Sequence, residues 1–535
     1  MRLPEGVGEV PISSVARGPL LELAISGVLA LGLLTLVASL LIIEGPVSAK
    51  ERGSGGAASE VATGEAIPIQ RLSRAGTPYL NCRFGVGQSE NPVISYDVAS
   101  LNLGWYANWG AQLAPARPEG MAYIQVLRVS DGAGFGEQSH PDPPSYRPSG
   151  DTLAAIIAAN PGSLWLVGNE PDCIYQDNVL PQSYARAYHD AYTFIKQHDP
   201  TARVAVGGIV QPTPLRMEYL DIVLDTYLSL YGEALPTDAW HIHSFILREA
   251  SCAVHPKACW GSEIPPGVSA DSGEMYELWE VDELDIFQAR ILEFRGWMRE
   301  RGYRDKPLYI TEYGSLWPYY ESPFVTNDDQ DVFDEARAAR FMTATFDFLL
   351  SASDSNVGYM ADQNRLVQRW LWYSLDGMDY GGALFDKYTA VPRPLGIDLA
   401  EYTGAISPTV DLLAVEVGQV GPVPFSPTDS ATVTLRARVS NAGNVAVTEP
   451  FTVRVLGGEG QMIGDVVISD TLAGCAATRM GTVTWSNVAP GAHAVRVVVD
   501  PENRITEADE TNNEVDGVAL VAEVQSFLPL ITRDR

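Results

Sequence analysis

Two glutamates each come directly after a short apolar run of the chain. Glu170 follows residues 164–168 (LWLVG), and Glu312 follows residues 308–311 (LYIT). A carboxylate beside an apolar strand is costly to bury unless it is paired or protonated, so both positions suggest chemistry. One protonated and one ionised carboxyl group that face each other can break a glycosidic bond, because the first protonates the leaving oxygen and the second attacks the anomeric carbon.

The elements that would position these glutamates alternate along residues 77–405. Short apolar runs predict strands, and the longer amphipathic stretches between most of them predict helices. The eight predicted strands are Phe84–Gly87, Leu101–Tyr106, Ala122–Val129, Leu164–Gly168, Val204–Ile209, Ala239–Phe245, Leu308–Thr311 and Trp370–Ser374. The clearest predicted helices are Tyr184–Gln197, Arg216–Leu230, Glu280–Arg301 and Phe333–Leu350. Eight such units predict an α/β fold of the (β/α)8 TIM-barrel type.

A doubly wound parallel sheet is the alternative fold. It would need a glycine-rich phosphate-binding turn after its first strand, and Gly85-Val86-Gly87 lacks the third glycine of that turn. In a barrel, the carboxyl ends of all strands meet at one mouth. Glu170 ends the fourth predicted strand and Glu312 the seventh, so we expect them to face each other there. Residues 247–276 would form a long loop over the mouth.

Two further polar residues lie at predicted strand ends. His243 ends the sixth strand, and we expect it to hydrogen-bond the substrate or the nucleophile, with a satisfied core histidine as the alternative. Arg128 ends the third strand, where it would bind sugar hydroxyls or orient a glutamate. Both residues are therefore candidates for substrate binding.

Aromatic side chains also cluster at the predicted strand ends: Trp105, Tyr106, Trp109, Tyr313, Trp317, Trp370, Trp372 and Tyr373. Flat rings stack on the apolar faces of sugars, so such a rim suits a saccharide cleft. We expect Trp372 to be the main sugar platform and Trp105, Tyr106 and Tyr313 to contribute to binding. Packing in the barrel core is the alternative for part of this set.

Two other interpretations of the polar residues remain open. The glutamates would be purely structural if Arg128 or Arg369 formed salt bridges with them. The His241-Ile242-His243 run could ligate a metal, as in metal-dependent hydrolases. A metal site needs further ligands at other strand ends, and the remaining histidines do not lie there. We therefore expect neither a metal nor a cofactor.

The two glutamate motifs together resemble those of the clan A glycoside hydrolases. The matching residues are Asn169-Glu170-Pro171 and Thr311-Glu312-Tyr313-Gly314, within a resemblance that covers residues 80–402. It implies a retaining enzyme with Glu170 as general acid/base, Glu312 as nucleophile and Asn169 bound to the sugar 2-hydroxyl. The second-strand segment Gly104–Trp109 is similar to a glycosyl hydrolase catalytic-core family that includes β-1,3-glucanases, which implies a β-glucan-like polysaccharide substrate.

Residues 409–523 have a different sequence pattern. Apolar and polar residues alternate with a period of two, and the turns between these runs are rich in Gly, Asn and Pro. This pattern predicts an antiparallel Ig-like β-sandwich. Residues 439–444 (VSNAGN) and the acidic, Asn-rich stretch 500–514 resemble the CARDB type of bacterial surface domain. The acidic stretch could bind calcium, although turns capped by Asp and Asn side chains are the simpler interpretation. The tail 524–535 has no assigned role.

The N-terminus predicts export. After the segment 1–22, residues 23–43 form an uncharged apolar run of 21 residues. That run is long enough for a transmembrane anchor and long for a cleaved signal segment. A flexible Gly- and Ser-containing linker, 44–76, would follow. We expect a catalytic domain outside the cytoplasm, either on the cell membrane or secreted.

Charge and cysteine content limit the partners. The chain has 67 Asp and Glu residues against 36 Lys and Arg, and such a surface repels nucleic acid. Cys252 and Cys259 are close enough in the sequence to form a loop disulfide. We thus expect a polysaccharide partner and a membrane contact through residues 23–43, and we expect no binding of nucleic acid. The oligomeric state stays open. The alternative function is an inactive carbohydrate-binding or cell-surface adhesion protein.

Overall fold

The computed structural model describes residues 79–137, 139–140, 144–256, 261–316, 334–378, 380–424 and 430–522. The predicted segments 1–22, 23–43, 44–76 and 524–535 lie outside these residues, as do Trp317 and Cys259. Within the described residues, no helix is both long and apolar enough to cross a membrane.

The first part of the chain forms a row of parallel strands. They are β1 (Asn81–Gly87), β2 (Leu103–Ala107), β3 (Ala122–Tyr123), β4 (Gln125–Ser130), β6 (Leu164–Val167), β7 (Arg203–Ile209), β8 (Ala239–His243), β9 (Leu308–Tyr313) and β10 (Arg369–Trp372), with the short β5 (Ser145–Arg147) antiparallel to β4. Their order in the sheet is β3-β2-β1-β10-β9-β8-β7-β6-β4-β5. The central strands are buried along their whole length, which is why most of their residues are apolar or aromatic.

The row of strands closes on itself. Its parallel strands begin with β3 and end with β4, which are separated along the chain by Ile124 alone, and the amide of Ile124 donates to the carbonyl of Tyr106 in β2. β3 and β4 together therefore act as one strand between β2 and β6. Counted in this way, eight parallel strands surround a common centre, which fits the predicted TIM barrel.

Helices follow six of these strands. They are α1 (Gly150–Ala159), α2 (Pro181–His198), α3 (Pro214–Tyr231), α4 (Leu284–Glu300), α5 (Glu335–Ser351) and α6 (Pro394–Ala405). Proline at the first position starts α2, α3 and α6, since its missing N–H has no partner to lose there. The connections after β1 and β2 hold only 3-10 turns, at Val93–Ser95, Val98–Leu101 and Pro118–Gly120.

The second part of the chain is all β. The strands β11 (Leu412–Gln419), β12 (Ala431–Asn441) and β15 (Ala477–Val488) form one antiparallel sheet, and β13 (Phe451–Gly457), β14 (Met462–Ile468), β16 (Gly491–Val499) and β17 (Glu514–Val521) form the other. Alternate side chains of the two sheets share one apolar core, which includes Leu435, Val453 and Val497. This arrangement is the predicted β-sandwich.

The sandwich is joined to the barrel near the start of β1. A disulfide links Cys82 to Cys475, and the amide of Cys82 donates to the carbonyl of Asn444. The guanidinium of Arg83 is buried there between Asp362, at 2.8 Å, and the carbonyl of Ala442, at 2.8 Å. The sandwich thus covers the end of the barrel where the strands begin, and the opposite end, where they finish, holds the glutamates.

Candidate active site

Glu170 lies at the barrel mouth, three residues beyond the end of β6. Its backbone has φ of +48°, and its amide donates to the carbonyl of Gly208 at 2.8 Å. A positive φ is costly for a residue other than glycine, by about 1–3 kcal/mol, and such strain concentrates at functional sites. Gly208 is required here because it also has positive φ and a Cβ atom would lie 2.7 Å from the His241 ring.

Glu312 reaches the same point from β9. In the parallel pairing of β8 and β9, His243 is opposite Glu312. The Nδ1 atom of His243 lies 2.7 Å from Oε1 of Glu170 and 3.3 Å from Oε2 of Glu312. One oxygen of each carboxylate and a ring nitrogen of His243 all lie within 4.8 Å of one another. The structure therefore brings together the two predicted glutamates and the predicted histidine.

Burial controls the protonation of this group. Glu170 and Glu312 are 8% and 7% exposed. Burial, assisted by the negative charge of Glu170, raises the pKa of Glu312 to about 7, against the opposing effects of His243 and of a hydrogen bond from the Trp109 side chain. Near neutral pH, the Glu312 carboxyl group is therefore poised between its acid and its carboxylate form.

The histidine between the carboxylates is favoured in its charged form. Burial acts to lower the pKa of His243, but the charges of Glu312 and Glu170 and the hydrogen bond to Glu170 outweigh burial and raise it. His241 behaves in the opposite way, since burial lowers its pKa well below the usual value and keeps the ring neutral. His241 is paired with the Thr311 hydroxyl group at 2.9 Å and is not part of the glutamate group.

A metal ion could use the same three side chains. Two carboxylates and an imidazole form a donor set that binds transition metals. The ring nitrogen of His243 is already at hydrogen-bond distance from Glu170, however, and His241 does not supply a fourth ligand. The hydrogen bond of His243 to Glu170 and its ion pair with Glu312 give these groups partners within the protein itself.

Asn169 and Arg128 lie beside Glu170 and are held by one aspartate. The Asp177 carboxylate accepts hydrogen bonds from the backbone N–H of Asn169 at 2.8 Å and from the Nε–H of Arg128 at 2.5 Å. The Asn169 side chain donates to Gln176 at 3.4 Å, a long contact that a sugar hydroxyl group can replace. Arg128 is therefore paired with Asp177 and not with a glutamate, which removes the salt-bridge interpretation for this arginine.

Arg369 does not explain the glutamates either. It is the first residue of β10, whereas Glu312 is near the end of β9, so the two lie at opposite ends of the barrel. Among the described residues, neither Glu170 nor Glu312 forms an ion pair with an arginine.

Most of the predicted aromatic residues lie in the protein core. Trp372 is 0% exposed and donates its ring N–H to the carbonyl of Gly382, so it offers no face to a sugar and is not a platform. Trp105 fills the barrel interior, and Tyr106 and Tyr313 are buried with their hydroxyl groups bonded to Ala116 and Thr345. The alternation of side chains along a strand places these residues in the core rather than at the rim.

Other aromatic residues occupy the mouth. Trp109 packs against Tyr373, whose ring also contacts Phe245 and Tyr380. Phe245 in turn meets the ring of His243. Of this set, the sequence indicated Trp109 and Tyr373 as members of the aromatic cluster, but gave no reason to prefer them. The signal that could have identified Trp109 is its place two residues beyond the end of β2, rather than within the strand.

Asp177 and Gly208 are positioning residues that sequence reasoning missed. Asp177 holds Asn169 and Arg128, and Gly208 holds the backbone of Glu170. The adjacent pair Gly207-Gly208 at the end of an otherwise apolar strand was the available signal, because glycine in a strand marks a bulge or a close backbone approach.

The comparisons with known proteins divide the chain into the same two parts. Residues 411–517 match the family model described as CARDB, which confirms the predicted type of the C-terminal domain. A search of curated proteins found no match to the chain.

Solved structures similar to the first part include two bacterial endo-β-1,3-glucanases of the GH128 type. The enzyme of Pseudomonas viridiflava (subgroup II) is 15% identical, with a TM-score of 0.36, and the match covers 59% of this chain and 96% of that one. The enzyme of Amycolatopsis mediterranei (subgroup I), solved with laminaritriose, is 15% identical, with a TM-score of 0.37, over 59% of this chain and 98% of that one.

The second part is similar to the CARDB domain of the PF1109 protein of Pyrococcus furiosus, solved in complex with di-metal ions. That domain is 21% identical, with a TM-score of 0.19, and the match covers 22% of this chain and 100% of that one. At such identities a likeness concerns the fold, and activity has to be argued from the site.

Proposed function

We propose that this protein is a retaining glycoside hydrolase that acts on a β-glucan-like polysaccharide. The observation that carries this proposal is the approach of one oxygen of Glu170 and one of Glu312 within 4.8 Å, with His243 between them. Retaining enzymes hold their two carboxyl groups about 5–5.5 Å apart, whereas inverting enzymes need about 6.5–9.5 Å to admit a water molecule.

The reaction would proceed in two displacements. Glu312, as a carboxylate, attacks the anomeric carbon while Glu170 donates its proton to the leaving glycosidic oxygen. A covalent ester between the sugar and Glu312 results. Glu170, now ionised, then removes a proton from water, and the resulting hydroxide displaces Glu312 from the same carbon. The product keeps the original anomeric configuration, and both glutamates return to their starting states.

The raised pKa of Glu312 taken alone would suit a proton donor. Two neighbours of Glu312 argue against the role of proton donor. Both the charge of His243 and the hydrogen bond from the Trp109 side chain lower the pKa of Glu312 and so stabilise its ionised form. Glu170 is instead bonded to the histidine whose pKa is raised, so a proton can pass between His243 and Glu170. We therefore keep Glu170 as acid/base and Glu312 as nucleophile.

The sugar would lie over the aromatic residues at the mouth. Trp109 and Phe245 lie beside the glutamates and would offer ring faces for stacking, and the buried ring of Tyr373 packs against both of them. Asn169, the neighbour of Glu170, would bind a hydroxyl group of the same sugar ring. The choice of β-glucan comes from the resemblance of residues 104–109 to the glycosyl hydrolase catalytic-core family that includes β-1,3-glucanases.

We also propose that the reaction takes place outside the cytoplasm, with residues 23–43 as the membrane anchor. The disulfide between Cys82 and Cys475 supports this location, because disulfides form and persist in oxidising compartments.

The test is hydrolysis by the full-length protein across β-1,3-glucan, mixed-linkage β-glucan, cellulose, xylan and mannan, with the first anomer of the product identified by proton NMR. We expect activity on a β-glucan and a β-anomer as first product. An α-anomer would contradict the retaining mechanism, and binding of a polymer without any cleavage would favour the adhesion alternative.

The variants Glu312→Ala and Glu170→Ala, each assayed with added azide, show which glutamate is the nucleophile and which is the acid/base. Azide should replace the missing nucleophile in Glu312→Ala and give an α-glycosyl azide from a β-linked substrate. In Glu170→Ala it should attack the glycosyl ester and give a β-glycosyl azide. The reverse result would exchange the roles of the two glutamates.

A further inference from the structure

A second cavity lies at the other end of the barrel, between the starts of the strands and the sandwich. Its volume is about 570 Å³. The barrel contributes Arg203 at the start of β7, Tyr309 of β9 and Arg369 at the start of β10, and the sandwich contributes Asp470 and Arg479. The space is therefore shared between the two domains and is remote from the glutamates.

Arg369 is a buried charge that forms no ion pair among the described residues, and the nearby Asp362 is paired with Arg83 and Arg365. It is 8% exposed, and its Nε atom has no hydrogen-bond partner. The guanidinium carbon lies 5.7 Å from the centre of the Tyr309 ring, a contact that offsets only a small part of the cost of burial. Burial, together with the positive charges of Arg203 and Arg83, lowers the pKa of Arg369 to about 10.

The nearby acidic groups do not neutralise this charge. Asp238 lines the cavity, but its carboxylate is bonded to Lys196 at 2.7 Å. Arg479 donates to the main-chain carbonyls of Thr478 and Thr471 and not to a carboxylate. No ion pair is formed by Arg203, Arg369 or Arg479 within the described part of the chain. The other acidic residue that lines the cavity is Asp470, which has no cation partner among the described residues.

Three arginines that line one cavity and form no salt bridge among the described residues are unusual in a protein with a formal net charge of −31. Guanidinium groups bind the oxygens of phosphate and sulfate through several N–H donors at once. The cavity is also large enough for a group bigger than a free ion, and Tyr309 and Tyr359 give it two aromatic walls.

We propose that this cavity is a binding site for a phosphate or sulfate group, held by Arg203, Arg369 and Arg479. Because the arginines come from both domains, the bound anion would link the barrel to the sandwich. This inference does not depend on the proposed hydrolase activity, since the two sites share no residue.

The test is isothermal titration calorimetry of the full-length protein with inorganic phosphate, sulfate and glucose 6-phosphate, at constant ionic strength. We expect saturable binding of at least one of them, weakened at least ~10-fold in Arg369→Met and in Arg203→Met, because each removes a charged hydrogen-bond donor. Tighter binding of glucose 6-phosphate than of inorganic phosphate would identify a phosphorylated molecule, rather than the free ion, as the occupant.

The matched control is Arg454→Met, which changes the net charge equally. Arg454 is on the outer surface of the sandwich, paired with Asp465 and Glu502. The Arg454→Met variant should bind the anion with the same affinity as the unaltered protein. Thermal unfolding provides a second measurement: the anion should raise the Tm of the unaltered protein and of Arg454→Met, but not of Arg369→Met.

Two outcomes would overturn the proposal. The first is the absence of saturable binding for all three probes. The second is binding that is equal in Arg369→Met, Arg203→Met and the unaltered protein. Arg369→Met should also fold well without any anion, since methionine removes a buried charge that has no partner.

Discussion

The Nδ1 atom of His243 lies 2.7 Å from the carboxylate of Glu170, although the two residues come from β8 and from the loop after β6. The same nitrogen is 3.3 Å from Glu312 on the neighbouring strand β9. His243 is therefore the residue through which the charges of the two glutamates are coupled. Several expected outcomes follow from this coupling.

Replacing His243 should alter the pH dependence of activity. Glu312 must be ionised to attack, and its pKa of about 7 predicts that kcat/KM falls as the pH decreases through 7. Since His243 lowers the pKa of Glu312, the variant His243→Asn should move this acidic limb to higher pH and reduce kcat/KM at pH 7 by about 10–100-fold. The measurement is a pH profile of kcat/KM, with His493→Asn on the sandwich surface as control. An unchanged profile in His243→Asn would mean that the histidine does not control the nucleophile.

Trp109 should also affect the acidic limb of the pH profile of kcat/KM, through its hydrogen bond to Glu312. The variant Trp109→Phe keeps a ring at the mouth but loses the N–H donor that stabilises the carboxylate. We expect kcat/KM to fall about 10-fold at neutral pH and the acidic limb to move upward. Trp279→Phe, at an exposed position, is the matched control. If Trp109→Phe changed KM alone, with the pH profile intact, the ring would serve only for stacking.

Removal of metal ions should leave the activity unchanged. His243 is hydrogen-bonded to Glu170 and ion-paired with Glu312, so a metal is not needed to hold the three residues together. Elemental analysis of the purified protein should show no stoichiometric zinc, and dialysis against a chelator should preserve the rate. Loss of activity on chelation, restored by zinc, would support a metal-dependent hydrolase instead.

The disulfide between Cys82 and Cys475 should stabilise the attachment of the sandwich to the barrel. Its removal in Cys475→Ser should lower the free energy of unfolding by about 2–5 kcal/mol, as is usual for native disulfides. Denaturant unfolding followed by fluorescence measures the change. Under reducing conditions the variant and the unaltered protein should become equally stable, and a difference that persisted would have to come from the serine itself.

The sequence was sufficient to predict the barrel, the sandwich and the approach of Glu170 to Glu312. Glu170 and Glu312 follow apolar runs, and parallel strands in a barrel bring such positions to one mouth. His243 was identified for the same reason. These predictions depend only on the order of the elements along the chain.

The aromatic residues could not be assigned in this way. Trp372 and Tyr373 are adjacent, yet one ring is covered by Gly382 and the other is at the mouth. Which of two neighbours faces the site depends on the exact end of the strand, and strand ends are the least certain part of a sequence-based prediction. The disulfide between Cys82 and Cys475 was missed because its cysteines are 393 residues apart in the sequence. The suggested pairing of Cys252 with Cys259 stays a prediction, since Cys259 lies outside the described residues.

The most direct test of the account is the hydrolysis rate of Glu170→Gln and Glu312→Gln on the best polysaccharide substrate. Both variants keep the shape of the side chain and one acceptor oxygen, but the amide can neither donate a proton as a carboxylic acid nor attack as a carboxylate. We expect each to lower kcat by at least about 10³-fold, because each group is needed for the chemical step. Glu416→Gln, on the sandwich, should have the activity of the unaltered protein. Full activity in either Glu170→Gln or Glu312→Gln would contradict the proposed mechanism.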